Sequence, residues 1–284
     1  WEKVMSKGLL DPKVDFVFKN IFGSPNHPEI LISFLNATLK AKKKIVNVDI
    51  KKTDIEKQYI EDKYSRLDVK ATTSNDEIIN IEIQLKNENN MVKRSLYYLS
   101  KMYEEQLNEK EDYSKLVRTV CINILNFKYL KTDNFHTGYR FKEIESNEEL
   151  TDIMEVHFIE IPKLQDSSDE KDMLVAWTEF LKDPESEKVR GLELSIEEIR
   201  QAKDELIRMS NDSTQRELYD MRANSLRDKM SELNAAERKG IEKGREEGRK
   251  EEKIKIARNM KLSGIDTNTI AKITNLSEDE IDKL

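Results

Sequence analysis

Cysteine is almost missing from this chain. The single one, Cys121, excludes a disulfide framework within the chain. With only three scattered histidines, His27, His136 and His157, it also excludes a Cys/His structural zinc site. Glycine and proline are sparse, 8 and 5 among 284 residues, which argues against an all-β sandwich built on tight turns. No apolar run approaches the roughly 18 residues that mark a membrane helix. The front of the chain carries no apolar stretch of the secretory type. The expectation is a cytoplasmic protein with no membrane partner, long enough for a buried core and one or two domains.

Charge, in contrast, is abundant. Charged residues make up 37%, against about a quarter in an ordinary globular chain. The net charge of -7 hides a segregation. Residues 143–205 hold 20 acids and 7 bases, so the remainder holds 36 acids and 42 bases. Lys40, Lys42, Lys43, Lys44, Lys51 and Lys52 crowd one stretch near the front. Screening limits a surface field to roughly 10 Å, so a local basic surface can bind phosphates on an acidic protein. A plainly solvated lysine-rich surface explains the same residues.

The periodicity divides the chain. Val14, Phe16, Val17, Phe18, Ile21 and Phe22 predict a short helix ending at Gly23, and 28–40 predicts a second. Residues 45–51, 64–72 and 78–86 alternate as strands, the last two joined by a polar turn at Ser74-Asn75-Asp76. An amphipathic helix over 91–107 and a nearly all-apolar strand over 117–127 follow. Two more strands are expected at 138–144 and 154–161. From Asp169 onward the pattern is helical and charged, and Gly240, Gly244 and Gly248 recur every fourth residue within it. Residues 213–260 are too polar to form a core alone. Leu218, Met221, Leu226, Met230 and Leu233 leave a thin apolar stripe there, suited to another helix or a second copy of the chain. Ile265, Ile270, Ile273, Leu276 and Ile281 predict two short terminal helices, with a capping box at Ser277–Glu280.

The residues that suggest chemistry lie on the strands 64–72 and 78–86. Strand periodicity puts Arg66, Asp68 and Lys70 on one face of the first, and Asn80, Glu82, Gln84 and Lys86 on one face of the second. A hairpin folded symmetrically about Asn75 sets Asp68 opposite Glu82, Lys70 opposite Asn80 and Arg66 opposite Gln84. Opposed side chains have Cβ atoms roughly 5 Å apart. Two carboxylates so placed repel unless something compensates, and a divalent cation is one compensator. An outward polar face on a half-exposed hairpin is the other reading of the same alternation. Cys121 falls in a strand expected to be buried, where a thiol packs rather than reacts, and His157 alternates with apolar residues as a structural histidine does.

Asp68 followed by Glu82-Ile83-Gln84, within helix–strand–strand–strand–helix–strand, resembles the PD-(D/E)XK nuclease superfamily. The opening LLDPKVDFVFKNIFG, the strands RLDVKAT and NIEIQLK and the helix RSLYYLSKMYEEQL resemble its transposase-like, recombination-promoting nuclease (Rpn) branch. The resemblance covers residues 9–165. It implies a restriction-endonuclease-like α/β core, a mixed sheet flanked by helices. It further implies Mg²⁺-dependent hydrolysis of DNA phosphodiester bonds, with Mn²⁺ as a substitute. Asp68 and Glu82 would be metal ligands, with the Ile83 carbonyl as a third, and Asp15 would help hold metal through water. Gln84 stands where many relatives have Lys. A neutral amide cannot take a proton from water, so Gln84 would orient the nucleophile or a phosphate. Lys70 and Lys86 share its face and would supply positive charge, and Arg94 and Tyr97 would touch DNA.

The expected organisation is a nuclease-like domain over 9–165, a charged helical extension over 169–260 and a small helical module over 261–284. The module has a helix-turn-helix pattern, but Glu278, Asp279, Glu280 and Asp282 make its last helix acidic, which phosphates would repel. It therefore reads as a packing or interaction module. The stripe on the extension predicts a homodimer. The rival to the enzyme is a non-catalytic, nuclease-derived scaffold that binds DNA or protein.

Overall fold

A computed structural model describes residues 8–41, 43–51, 69–165, 168 and 171–284. They fall into two units, one ending at Ala223 and one running from Asn224 to Leu284.

In the first unit, α1 (Asp15–Phe22) begins on an acidic residue and carries Lys19 in its last turn, in line with the helix dipole. It stops at Gly23, where a Cβ would stand 2.6 Å from the Lys19 carbonyl oxygen. Pro28 opens α2 (Pro28–Leu39), and Lys40 ends it in the left-handed region at φ 45. Phe18 and Phe22 stack at 4.6 Å, and Phe22 meets Phe34 edge-on at 5.5 Å.

The strands are β1 (Val48–Lys51), β2 (Val69–Thr73), β3 (Ile78–Gln84), β4 (Thr119–Leu125), β5 (His136–Lys142) and β6 (Glu149–Glu160), with α3 (Met91–Glu104) between β3 and β4. They form one six-stranded sheet in the order β1-β2-β3-β4-β6-β5. β1, β2 and β3 pair antiparallel; β3, β4 and β6 pair parallel; β5 returns antiparallel on β6. The β2–β3 turn closes with Asp76 at φ 61, which an Asp tolerates better than most side chains. The described ladder pairs Val69 with Ile81 and Lys70 with Asn80, the register expected of a hairpin centred on Asn75.

Three further helices, α4 (Met173–Lys182), α5 (Glu187–Glu193) and α6 (Glu197–Asn211), belong to the first unit. α4 buries Leu174 to Leu181 without a break, and its Trp177 ring sits 5.3 Å from Phe22. α6 buries Ile199, Ala202, Leu206 and Met209, packs on α1 and α2, and accepts the Leu10 N–H at Ser210 Oγ, 3.0 Å away. Most of the charge of α5 and α6 is on the outer face, Lys203 and, on α4, Glu179 are buried, and the apolar stripes close the core of the α/β sheet.

A long helix follows, α7 (Ser213–Leu262), and the unit boundary falls inside it. In the second unit, Ala257 near its end packs with Ile270 of α8 (Thr267–Thr274), with Leu276, and with Ile281 of α9 (Glu278–Asp282). The end of α7 is thus part of that small terminal core. Ile273 stays 61% exposed, outside that small core. The expected capping box is present: Ser277 Oγ accepts the Glu280 N–H, and the Glu280 carboxylate accepts the Ser277 N–H.

Candidate metal centre

β3 has two faces, and both are covered. Ile79, Ile81 and Ile83 are buried on one. Asn80 and Glu82, on the other, are each 0% exposed, so the half-open polar face allowed by alternation is not there. α3 lies over it, through Met91 and Leu99 against Cys121 and Leu125 of β4. The parallel register sets Cys121 beside Asn80 and Asn123 beside Glu82.

A carboxylate in such a place costs several kcal/mol of desolvation unless it is paired. Glu82 Oε2 accepts from Arg94 Nε at 3.2 Å. Burial pushes the Glu82 carboxyl above its ordinary range, and the Arg94 charge and hydrogen bond offset part of that. Glu82 Oε1 has no hydrogen-bond partner among the described residues, nor has the buried Asn80 Oδ1 two residues back. Deeper in, Ser95 Oγ lies 2.9 Å from Asn123 Oδ1, and Asn123 Nδ2 donates to the His157 carbonyl at 3.1 Å. The Cys121 thiol is pushed up to about 12 by burial and then by the Glu82 charge, so it is no nucleophile near neutral pH.

Buried acceptors without donors are rare, and oxygen donors of this kind suit a hard cation such as Mg²⁺. Glu82 therefore fits one side of a divalent site. Among the described residues, no three or more His, Cys, Asp and Glu side chains converge into a metal cluster. Asp68, the expected second carboxylate, lies outside the described residues, as does Arg66.

Residues 12–236 match the profile described as PD-(D/E)XK nuclease family transposase. The chain belongs to that family. Its mixed six-stranded sheet flanked by helices is the restriction-endonuclease-like fold. Residues 250–284 match the C-terminal HTH domain of the Rpn/YhgA-like nuclease family, so the terminal module is a helix-turn-helix, and the reading of it as a packing module, drawn from its acidic last helix, is corrected. No curated protein and no solved structure matches this nuclease-family chain.

The other expected residues scatter around Glu82. Gln84 is half-buried at the end of β3, and its carbonyl accepts the Asn126 N–H at 2.9 Å. Ile83 points to the opposite face and is buried. Lys70 lies 4.0 Å from Glu105, and Lys86 is half-buried just past β3. Tyr97 is 52% exposed on α3, edge-on to Tyr98. Asp15 Oδ2 accepts from Arg222 at 2.8 Å. Ser95 and Asn123 were not expected around the site. The available signal was Asn123 itself, a polar residue in the middle of the apolar run TVCINIL.

On the opposite face sits a second buried charge cluster. Arg118 donates to both Glu77 and Glu155. Arg140 Nε reaches Glu155 Oε2 at 3.1 Å, and Glu77 Oε2 accepts from Thr73 Oγ1 at 3.0 Å. His157 Nε2 is 2.8 Å from Glu155 Oε1, and its Nδ1 is 2.9 Å from His136 Nε2, with the two rings stacked. Gly138 makes room for the stack, since a Cβ there would stand 3.1 Å from the His157 ring. His157 is structural in this arrangement.

Proposed function

We propose that this chain is a Mg²⁺-dependent DNA endonuclease, with Mn²⁺ as a substitute ion, and that Asp68 and Glu82 hold the metal. The observation that carries the reading is the buried Glu82 with one oxygen unmatched among the described residues. Asp68 directly precedes Val69, whose partner Ile81 directly precedes Glu82. Glu82, Asp68 and the Ile83 carbonyl are the proposed ligands. A bound Mg²⁺ supplies Lewis-acid polarisation of the phosphate and neutralises the charge that develops there. Gln84 orients the attacking water or a phosphate oxygen through its amide. Lys70 and Lys86 add positive charge on that face, and Arg94 and Tyr97 lie along α3 where DNA would pass. Asp15 has a role at the metal only if Arg222 releases it.

The helix-turn-helix is a second proposed contact with DNA. α9 opens with Glu278, Asp279 and Glu280, so any such contact is assigned to the other two helices of the module. On α7, Met230 and Leu233 are exposed and Leu226 half-buried, and a second copy of the chain is the proposed partner for that stripe. Light scattering tests this: a dimer is expected over the micromolar range, and a monomer throughout refutes it.

The test of the main reading is divalent-dependent nicking of plasmid, with Asp68→Ala and Glu82→Ala as variants. Both variants should stay folded, lose nicking and lose the thermal shift that Mn²⁺ confers. Cleavage at the wild-type rate by either one rejects the site. Wild-type protein that binds DNA and Mn²⁺ without cutting supports the non-catalytic scaffold instead, a reading favoured by the missing lysine at Gln84.

A further inference from the structure

Arg94 has an unusual position for a residue expected to touch DNA. It sits in the first turns of α3, its guanidinium 5.2 Å from the Tyr98 ring and its Nε 3.2 Å from Glu82 Oε2. Its side chain is 20% exposed, while that of Glu82 is 0% exposed. The guanidinium therefore bridges from solvent to a carboxylate that solvent cannot reach. The grip is a single contact: among the described residues, Nε to Glu82 is the one hydrogen bond made by the Arg94 side chain. Arginine has five donors in a planar fork that fits carboxylate or phosphate through two parallel bonds, and here one donor is used. The bond is also long for a charge-assisted one, which usually measures about 2.7–2.9 Å.

We propose that Arg94 is the resident counter-ion of the site: it holds the Glu82 carboxylate in the metal-free chain and turns to a substrate phosphate once a divalent cation takes that carboxylate. The inference rests on the reading of Glu82 as a metal ligand and adds a residue that opposes the metal. A buried carboxylate must have positive charge beside it. With the metal absent, Arg94 is, among the described residues, the group that supplies it. With the metal present, two cations share one carboxylate and repel. Arg94 is the one with a path to water, a flexible stem and idle donors. Its release then presents a phosphate-shaped fork at the mouth of the site only after the ion has arrived, which couples metal loading to grip on DNA. Tyr98 gives the guanidinium a face to slide on during that exchange.

The test uses the full chain and two readouts besides cleavage. Calorimetry with Mn²⁺ compares wild type, Arg94→Gln, Arg94→Lys and Glu82→Gln. Binding of a labelled DNA duplex is then measured in Ca²⁺. Arg94→Gln is expected to bind Mn²⁺ about tenfold more tightly, the worth of one charge-assisted hydrogen bond removed from the competitor. The same variant should bind the duplex several-fold more weakly. Arg94→Lys keeps the charge and loses the fork, so its Mn²⁺ affinity should stay near wild type while duplex binding still falls. A merely structural Arg94 would lower metal affinity when removed, never raise it. Unchanged or weaker Mn²⁺ binding by folded Arg94→Gln overturns the proposal and leaves the metal site standing. If that variant does not fold, Arg94→Lys decides: full duplex affinity in the lysine variant overturns it. Glu82→Gln that binds Mn²⁺ like wild type removes the metal site itself, and the counter-ion role with it.

Discussion

The two faces of the central sheet each bury a set of charges, and they solve the problem differently. On the face away from α3, Glu77 and Glu155 have both oxygens matched, by Arg118, Thr73, Arg140 and His157. Those bonds outweigh burial and hold the Glu155 carboxyl down to about 2. On the α3 face, Glu82 is more deeply buried and, among the described residues, has one partner on one oxygen, and burial pushes its carboxyl up. Buried charge alone therefore does not mark chemistry in this chain. The first cluster is closed and serves to fasten β3, β4 and β6 together. The second is left open on one side, at a stability cost of about 1–3 kcal/mol for each unmatched acceptor, and an open acceptor is what a cation needs.

The contrast predicts a clean separation of effects. Glu82→Gln should lower Mg²⁺-dependent cleavage at least about 10³-fold, at the upper end for loss of one electrostatic contact in a site. Its stability should change little, because the amide is easier to bury and Arg94 can turn to water. Glu155→Gln should do the reverse. It leaves Arg118 and Arg140 without their shared carboxylate, and breaking a buried pair costs about 3–5 kcal/mol. Urea unfolding reads the loss, and cleavage per folded molecule should equal wild type. If Glu155→Gln abolished cleavage in folded protein, or Glu82→Gln unfolded the chain, the division into a fastening cluster and a working one would be wrong.

Part of this contrast was legible in the sequence and part was not. The β2–β3 register is local: alternation on both sides of the Asn75 turn is enough to set Lys70 opposite Asn80. Alternation reports that a strand has two faces, however, and not which is covered. The burial of Asn80 and Glu82 depends on α3, whose own amphipathic pattern names a buried face without naming its partner. The Arg118 cluster is still less visible, since Glu77, Arg118 and Glu155 come from three separated segments joined only by parallel pairing. Distance in the chain also explains Asp15, whose partner Arg222 lies on α7. At α6 a high charge count accompanies an apolar stripe, Ile199, Ala202, Leu206 and Met209, that joins the core, and only the periodicity separates the two.

The smallest predicted effect sharpens the comparison from the closed side. His136 is pushed down to about 4, by burial first and then by the charges of His157 and Lys40, with Asp172 and Glu155 pulling the other way. An ordinary histidine protonates near 6.5. Between those values the unfolded chain binds a proton that the folded chain refuses, so stability rises with pH across the window. The contribution is complete above pH 6.5 and is lost as pH falls toward 4. Glu155 acts in a lower window: its carboxyl is ionised in the folded chain and protonated in the unfolded one from its ordinary 4.5 down to about 2, so its contribution is lost there. Urea midpoints at pH 7 and pH 4.5 should therefore differ in wild type, and the difference should shrink in His136→Gln, which keeps a hydrogen-bonding group beside His157 but cannot titrate. Mn²⁺ affinity at pH 7 should be the same in both proteins, because His136 belongs to the closed cluster. A pH dependence that survives unchanged in His136→Gln would mean that the acid sensitivity arises elsewhere, and not at Glu82, because a carboxyl that burial pushes up favours the folded chain as pH falls.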